Sequence, residues 1–167
     1  MYNLIKGVMI LNKHFLLKLY WSNFTTSQIH QLYRYYPQIF QVNDYEQDSL
    51  LYCWITQYQP RLLSKFIDYK QLHYNEILKV LRQLDVKYIT YFDKDYPLLL
   101  KEIYDFPFVL FYKGNKDIFQ NHRTLAIVGA RKCTNYTNQA LNYLLPSFKD
   151  KNITIISGLA EGADSEA

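Results

Sequence analysis

Residues 124–164 read TLAIVGARKCTNYTNQALNYLLPSFKDKNITIISGLAEGAD, and the fold turns on how this stretch divides. Thr124-Leu125-Ala126-Ile127-Val128 is an almost continuous apolar run, as is Ile153-Thr154-Ile155-Ile156, and each leads into a glycine-containing loop. Short apolar runs rich in β-branched residues and bounded by turn residues predict strands. Between them, from about Asn135 to Lys149, Ala140, Leu141, Leu144, Leu145 and Phe148 recur at helical spacing. That spacing predicts a helix, which Pro146 either kinks or brings to its last turn.

Strand, helix and strand over roughly 30 residues form a βαβ unit, whose crossover makes the two strands parallel. Apolar strands without alternation belong to sheets covered on both faces. The expected class is therefore α/β, with a doubly wound parallel sheet of Rossmann-like type. A sheet of so few strands cannot bury both faces of Ile127 and Ile155, so the sequence is expected to be truncated, with most of that domain missing.

Working back from this unit, Val86-Lys87-Tyr88-Ile89-Thr90-Tyr91 predicts a strand, Asp95-Tyr96-Pro97 a turn and Leu98 to Ile103 a short helix. Phe108-Val109-Leu110-Phe111-Tyr112 predicts a buried strand that stops at Lys113-Gly114-Asn115. Before Asp85 the signals are helical. Leu16, Leu17 and Tyr20 suit a short amphipathic helix beginning after Asn12. Thr25 and Gln28 have capping-box spacing ahead of Ile29, Leu32 and Tyr33, and Pro37 ends that helix. Asp44 with Gln47 repeats the start signal, and Asn75 is expected to cap the run Ile77, Leu78, Leu81 and Leu84. The expected organisation is a bundle of three to five helices over residues 1–85 and the Rossmann-like domain over residues 86–167.

Composition narrows the function classes. The chain has 167 residues, 49% hydrophobic and 20% charged, with 5 Gly and 5 Pro, which excludes collagen-like and low-complexity chains. Its formal charge of +4 is spread along both halves, a balance that permits nucleic-acid binding without diagnosing it. Cys53 and Cys133 have neither disulfide-framework nor zinc spacing, so a reducing cytoplasm is expected and no cofactor or metal is called for. Lys6, Lys13, His14 and Lys18 break every window of the N-terminal stretch long enough to span a bilayer, so no membrane partner is expected.

Gly129-Ala130-Arg131-Lys132 follows the first strand of the βαβ unit, at the carboxyl edge where open α/β sheets bind ligands. Gly129 lets backbone amides approach an anion, the following helix adds its N-terminal N–H groups, and Arg131 forks onto phosphate oxygens with Lys132 as a second cation. Ser157-Gly158 repeats the arrangement after the second strand, giving an expected shelf of backbone donors with a hydroxyl beside it. Asp164 is expected to cap the next helix. Neither G-x-G-x-x-G nor G-x-x-x-x-G-K-[ST] is present, so no motif points to a dinucleotide or triphosphate site.

Three segments in order resemble the DprA/Smf family: Tyr96-Pro97 through Asn115, Ala126-Ile127-Val128-Gly129-Ala130-Arg131 through Tyr136, and Ile156-Ser157-Gly158-Leu159-Ala160-Glu161-Gly162-Ala163-Asp164. The resemblance implies sequence-independent binding of single-stranded DNA, delivery of that DNA to the RecA recombinase in natural transformation, a homodimer in the full-length protein, and no catalytic residue. It implies a SAM-like or helix-hairpin-helix-like first half. Carried over residue by residue, it makes Arg131 the main phosphate contact, Gly129, Ser157 and Gly158 the shape of the pocket, and Lys132 a rim cation. Thr137 departs from the family's usual glycine, and Glu161 sets a negative charge beside the shelf.

Two other functions compete. One is a nucleotide-binding Rossmann-like enzyme of phosphoribosyl chemistry, which would bind mononucleotides better than oligonucleotides. The other is a protein-interaction module whose hot spots are Trp21, Trp54 and the tyrosine-rich faces, against the simpler expectation that these residues are core.

Overall fold

The computed structural model describes residues 2–167, with side chains described from residue 12 onward. The elements in order are α1 (Tyr2–Trp21), α2 (Thr26–Tyr35), α3 (Asp44–Tyr58), α4 (Leu63–Gln71), α5 (Tyr74–Gln83), β1 (Lys87–Thr90), α6 (Leu98–Lys101), β2 (Val109–Tyr112), β3 (Thr124–Ala126), α7 (Asn135–Leu144), β4 (Thr154–Ile156) and α8 (Ala163–Glu166). They form two compact units, the first ending at Lys116 and the second spanning Asp117–Ala167.

Local chemistry starts the helices of the first unit. Thr25 Oγ1 accepts from the Gln28 N–H at 3.3 Å while Gln28 Oε1 accepts from the Thr25 N–H at 3.0 Å, the expected reciprocal cap of α2. At α3 the cap is one residue earlier than expected, because Asn43 Oδ1 accepts from the Glu46 N–H at 3.1 Å and Asp44 is already helical. For α5 the structure puts His73 at the N-cap without a side-chain bond, in place of Asn75. Helix α1 begins well before Asn12, whose side chain is instead buried within it.

The core of this unit gathers Phe15, Leu16, Leu17 and Leu19 of α1, Ile29 and Leu32 of α2, Leu51, Trp54 and Ile55 of α3, and Ile77 and Leu81 of α5. Each fully buried side chain of this size contributes about 1.5–3 kcal/mol. Trp54 is 1% exposed and belongs to this core. Tyr96, the tyrosine of the Tyr96-Pro97 pair, is fully buried and donates its hydroxyl to the Pro107 carbonyl at 2.7 Å. Burial, with Tyr20 and Tyr91 nearby, pushes that phenol up to about 12.

The sheet differs from the single doubly wound one expected. Four strands make two separate pairs, β1–β2 antiparallel and β3–β4 parallel, so the mixed α/β class holds without one continuous sheet among the described residues. The cause is packing: Phe108 and Val109 join the helical core, which holds β1 and β2 in the first unit although their composition resembles the strands that follow.

In the second unit β3, α7 and β4 form the expected βαβ unit, with Thr124 opposite Thr154, Leu125 opposite Ile155 and Ala126 opposite Ile156. Pro146 lies in a 3-10 turn over Leu145–Phe148 that ends the crossover helix. Val128, Tyr143 and Ile156 are exposed, and Ala163 is the one buried residue described in this unit.

Candidate functional site

The parallel ladder runs past β3, since the Ile127 N–H donates to the Ile156 carbonyl at 2.9 Å. Beyond that bond the chain releases two loops side by side, Val128 to Lys132 and Ser157 to Gly162, both at the carboxyl ends of their strands. Their geometry is fixed by the start of α8. The Gly129 N–H donates to Asp164 Oδ1 at 3.1 Å, the Ser157 hydroxyl donates to the Asp164 backbone carbonyl at 2.8 Å, and the Ala163 N–H donates to the Ala130 carbonyl at 3.2 Å.

Two glycines make this closeness possible. A Cβ on Gly129 would stand 2.5 Å from the Ala163 Cβ. Gly162 has φ of +90°, and a Cβ there would stand 2.3 Å from both the Ala130 and Arg131 carbonyl oxygens. The loops therefore interlock through backbone, and only glycine fits either point of contact.

This clasp brings Gly129, Ser157 and Gly158 together around Asp164, with their polar groups employed differently from the open shelf of donors expected. The Gly129 N–H is bound to the Asp164 carboxylate, so it is not part of an open shelf of donors. Asp164 itself lies inside the first turn of α8, with Gly162 at the N-cap, and its side chain ties two loops instead of capping a helix. Gly158 is exposed beside the same carboxylate.

Arg131 and Lys132 lie on the exposed part of the first loop, and neither forms an ion pair among the described residues. The Arg131 backbone is held against Gly162 while its side chain stays in solvent. Glu161 is exposed as well, and Thr137 is half-buried with its N–H donating to the Thr134 carbonyl at 2.9 Å. Two solvated cations on a loop tied to the start of α8 can take phosphate oxygens by charge-assisted hydrogen bonds. The residues that sequence reasoning missed are Gly162, Ala163 and the tether role of Asp164. The signal was there: a Gly-Ala-Asp run after a strand allows close loop packing as readily as a cap.

Among the described residues no group of three or more His, Cys, Asp or Glu comes together to hold a metal ion, and no helix is long and apolar enough to cross a membrane.

Residues 87–167 match the family model for DNA recombination-mediator protein A. The DNA processing protein DprA of Bacillus subtilis is 40% identical over 88 residues, which are 53% of this chain and 30% of that protein. Protein Smf of Borreliella burgdorferi is 36% identical over 107 residues, 64% of this chain and 33% of that one. The X-ray structure of DNA processing protein A from Streptococcus pneumoniae matches with a TM-score of 0.69 at 27% identity, over 90% of this chain and 50% of that one. The chain thus spans about a third of the length of the curated relatives it matches.

Proposed function

The chain belongs to the DprA/Smf family, and from that premise we propose that it serves DNA processing in transformation by binding single-stranded DNA without sequence preference. The carrying observation is the pair of exposed cations Arg131 and Lys132, without an ion pair among the described residues, on a loop that the Asp164 clasp holds at the carboxyl edge of β3 and β4. In this reading the phosphates of the strand lie on those two side chains, and Gly129, Ser157 and Gly158 give the loop its shape.

The same premise carries the wider proposals: a nonenzymatic role, handover of the strand to the RecA recombinase, a homodimer of the full-length protein and a cytoplasmic setting. It also carries a SAM-like character for the helical part and a Rossmann-like character for the part with the βαβ unit, the boundary lying after Lys116 where the compact units divide and not at residue 85. The exposed Ile156 side chain on β4 fits a doubly wound sheet, in which both faces of the parallel strands are covered.

The test is Arg131→Ala in a titration with labelled single-stranded oligonucleotides of several sequences. Loss of a charged hydrogen-bonding partner is expected to weaken all of them alike, by about tenfold or more. Unchanged affinity removes Arg131 from the interface.

A further inference from the structure

A groove follows one face of α2 in the first unit, far from the loops described above in sequence. Gln31, Arg34 and Tyr35 of α2, Tyr58 and Gln59 at the end of α3, and Tyr104 after α6 line a cavity of about 610 Å³. Its far wall is pinned, because His30 Nε2 lies 2.8 Å from the Phe106 carbonyl and the two rings meet edge to face.

The lining is unusual for a surface left by folding alone. Tyr35, Tyr58 and Tyr104 are 65%, 56% and 84% exposed, and the Tyr35 and Tyr58 rings lie within 10° of parallel with centroids 6.5 Å apart. Arg34 is exposed and forms no ion pair among the described residues, including with Asp105, the one carboxylate of the groove. Gln59 Nε2 donates to Gln31 Oε1 at 3.0 Å, which leaves the Gln31 amide N–H groups and the Gln59 carbonyl for a ligand edge. No Leu, Ile, Val or Met lines the cavity, so an amphipathic peptide helix would lack its anchors.

We infer that this groove is a second contact for single-stranded DNA: an unpaired nucleobase stacks on the tyrosine faces, with the adjoining phosphate on Arg34. Stacking on exposed aromatic faces tolerates any base and, with a nearby cation, is the usual chemistry of sequence-independent strand binding. With 10 residues, α2 is about 15 Å long, so the groove takes a short stretch of strand. The inference rests on the single-strand binding proposed above.

The experiment uses the whole chain and an oligothymidylate carrying photoreactive 5-iododeoxyuridine, with crosslinked peptides mapped by mass spectrometry. Crosslinks are expected on peptides containing Tyr35, Tyr58 or Tyr104. Tyr104→Ala, a change at an exposed position, is expected to lower affinity at least about fivefold, the lower end of the loss for one base stack. Crosslinks confined to residues 117–167, with wild-type affinity in Tyr104→Ala and Tyr58→Ala, would overturn the groove and leave the first site standing. That is also the result expected of a groove built for a protein segment. No binding by the wild-type chain at any salt concentration overturns both sites.

Discussion

Arg131 shows how a side chain is presented by backbone it does not touch. Its carbonyl lies against Gly162, the neighbouring Gly129 is held by Asp164, and the guanidinium is left in solvent. Gly129→Val is therefore expected to displace α8 from the loop, at a cost of roughly 1–3 kcal/mol for forcing atoms into filled space. Protease susceptibility of residues 117–167 reads this directly, and unchanged protection would mean the clasp is looser than described. The exposed cations and the glycines were legible in the sequence. The use of the Gly129 N–H by Asp164 was not, because a carboxylate two residues past a glycine suits a helix cap and a cross-loop tether equally well. That choice is made by three-dimensional proximity.

At the scale of elements, most helices were legible because their start signals are local. Thr25→Ala, which removes the reciprocal cap of α2, is expected to cost about 1 kcal/mol in a urea unfolding curve; no loss would show that tertiary packing alone holds that end. Asp44 was misread as a cap because Asn43, one position earlier, does that work, and Asn75 because His73, two positions earlier, takes the cap position without a side-chain bond. Packing between α1 and α5 gives a pH dependence. The His14 ring stacks on Tyr74 at 3.6 Å, and burial, opposed by Asp44, lowers its pKa from the ordinary 6.5. The folded state thus favours the neutral ring. Its contribution is present above the unfolded pKa and is lost as pH falls through the lower folded value. The urea midpoint is expected to drop as pH falls below the ordinary histidine value of 6.5, with a flatter profile in His14→Gln. Equal slopes in the two proteins would contradict this assignment.

For the whole molecule, the sequence announced a helical first half and a βαβ unit, and both are present. It did not show that β1 and β2 pair with each other inside the helical unit, since an apolar strand gives no sign of which core will bury it. Phe108, fully buried among aromatic rings of that unit, decides the matter. The proposed role rests on Arg131 and Lys132 meeting the phosphates of a single strand of DNA. The most direct test is fluorescence anisotropy of labelled single-stranded and duplex oligonucleotides titrated with the chain from low to physiological salt. Preference for the single strand is expected, with a log–log salt slope of about −0.7 for each phosphate neutralised, shallower by about that much in Arg131→Ala. Equal affinity for duplex, or affinity indifferent to salt in a folded protein, would contradict it.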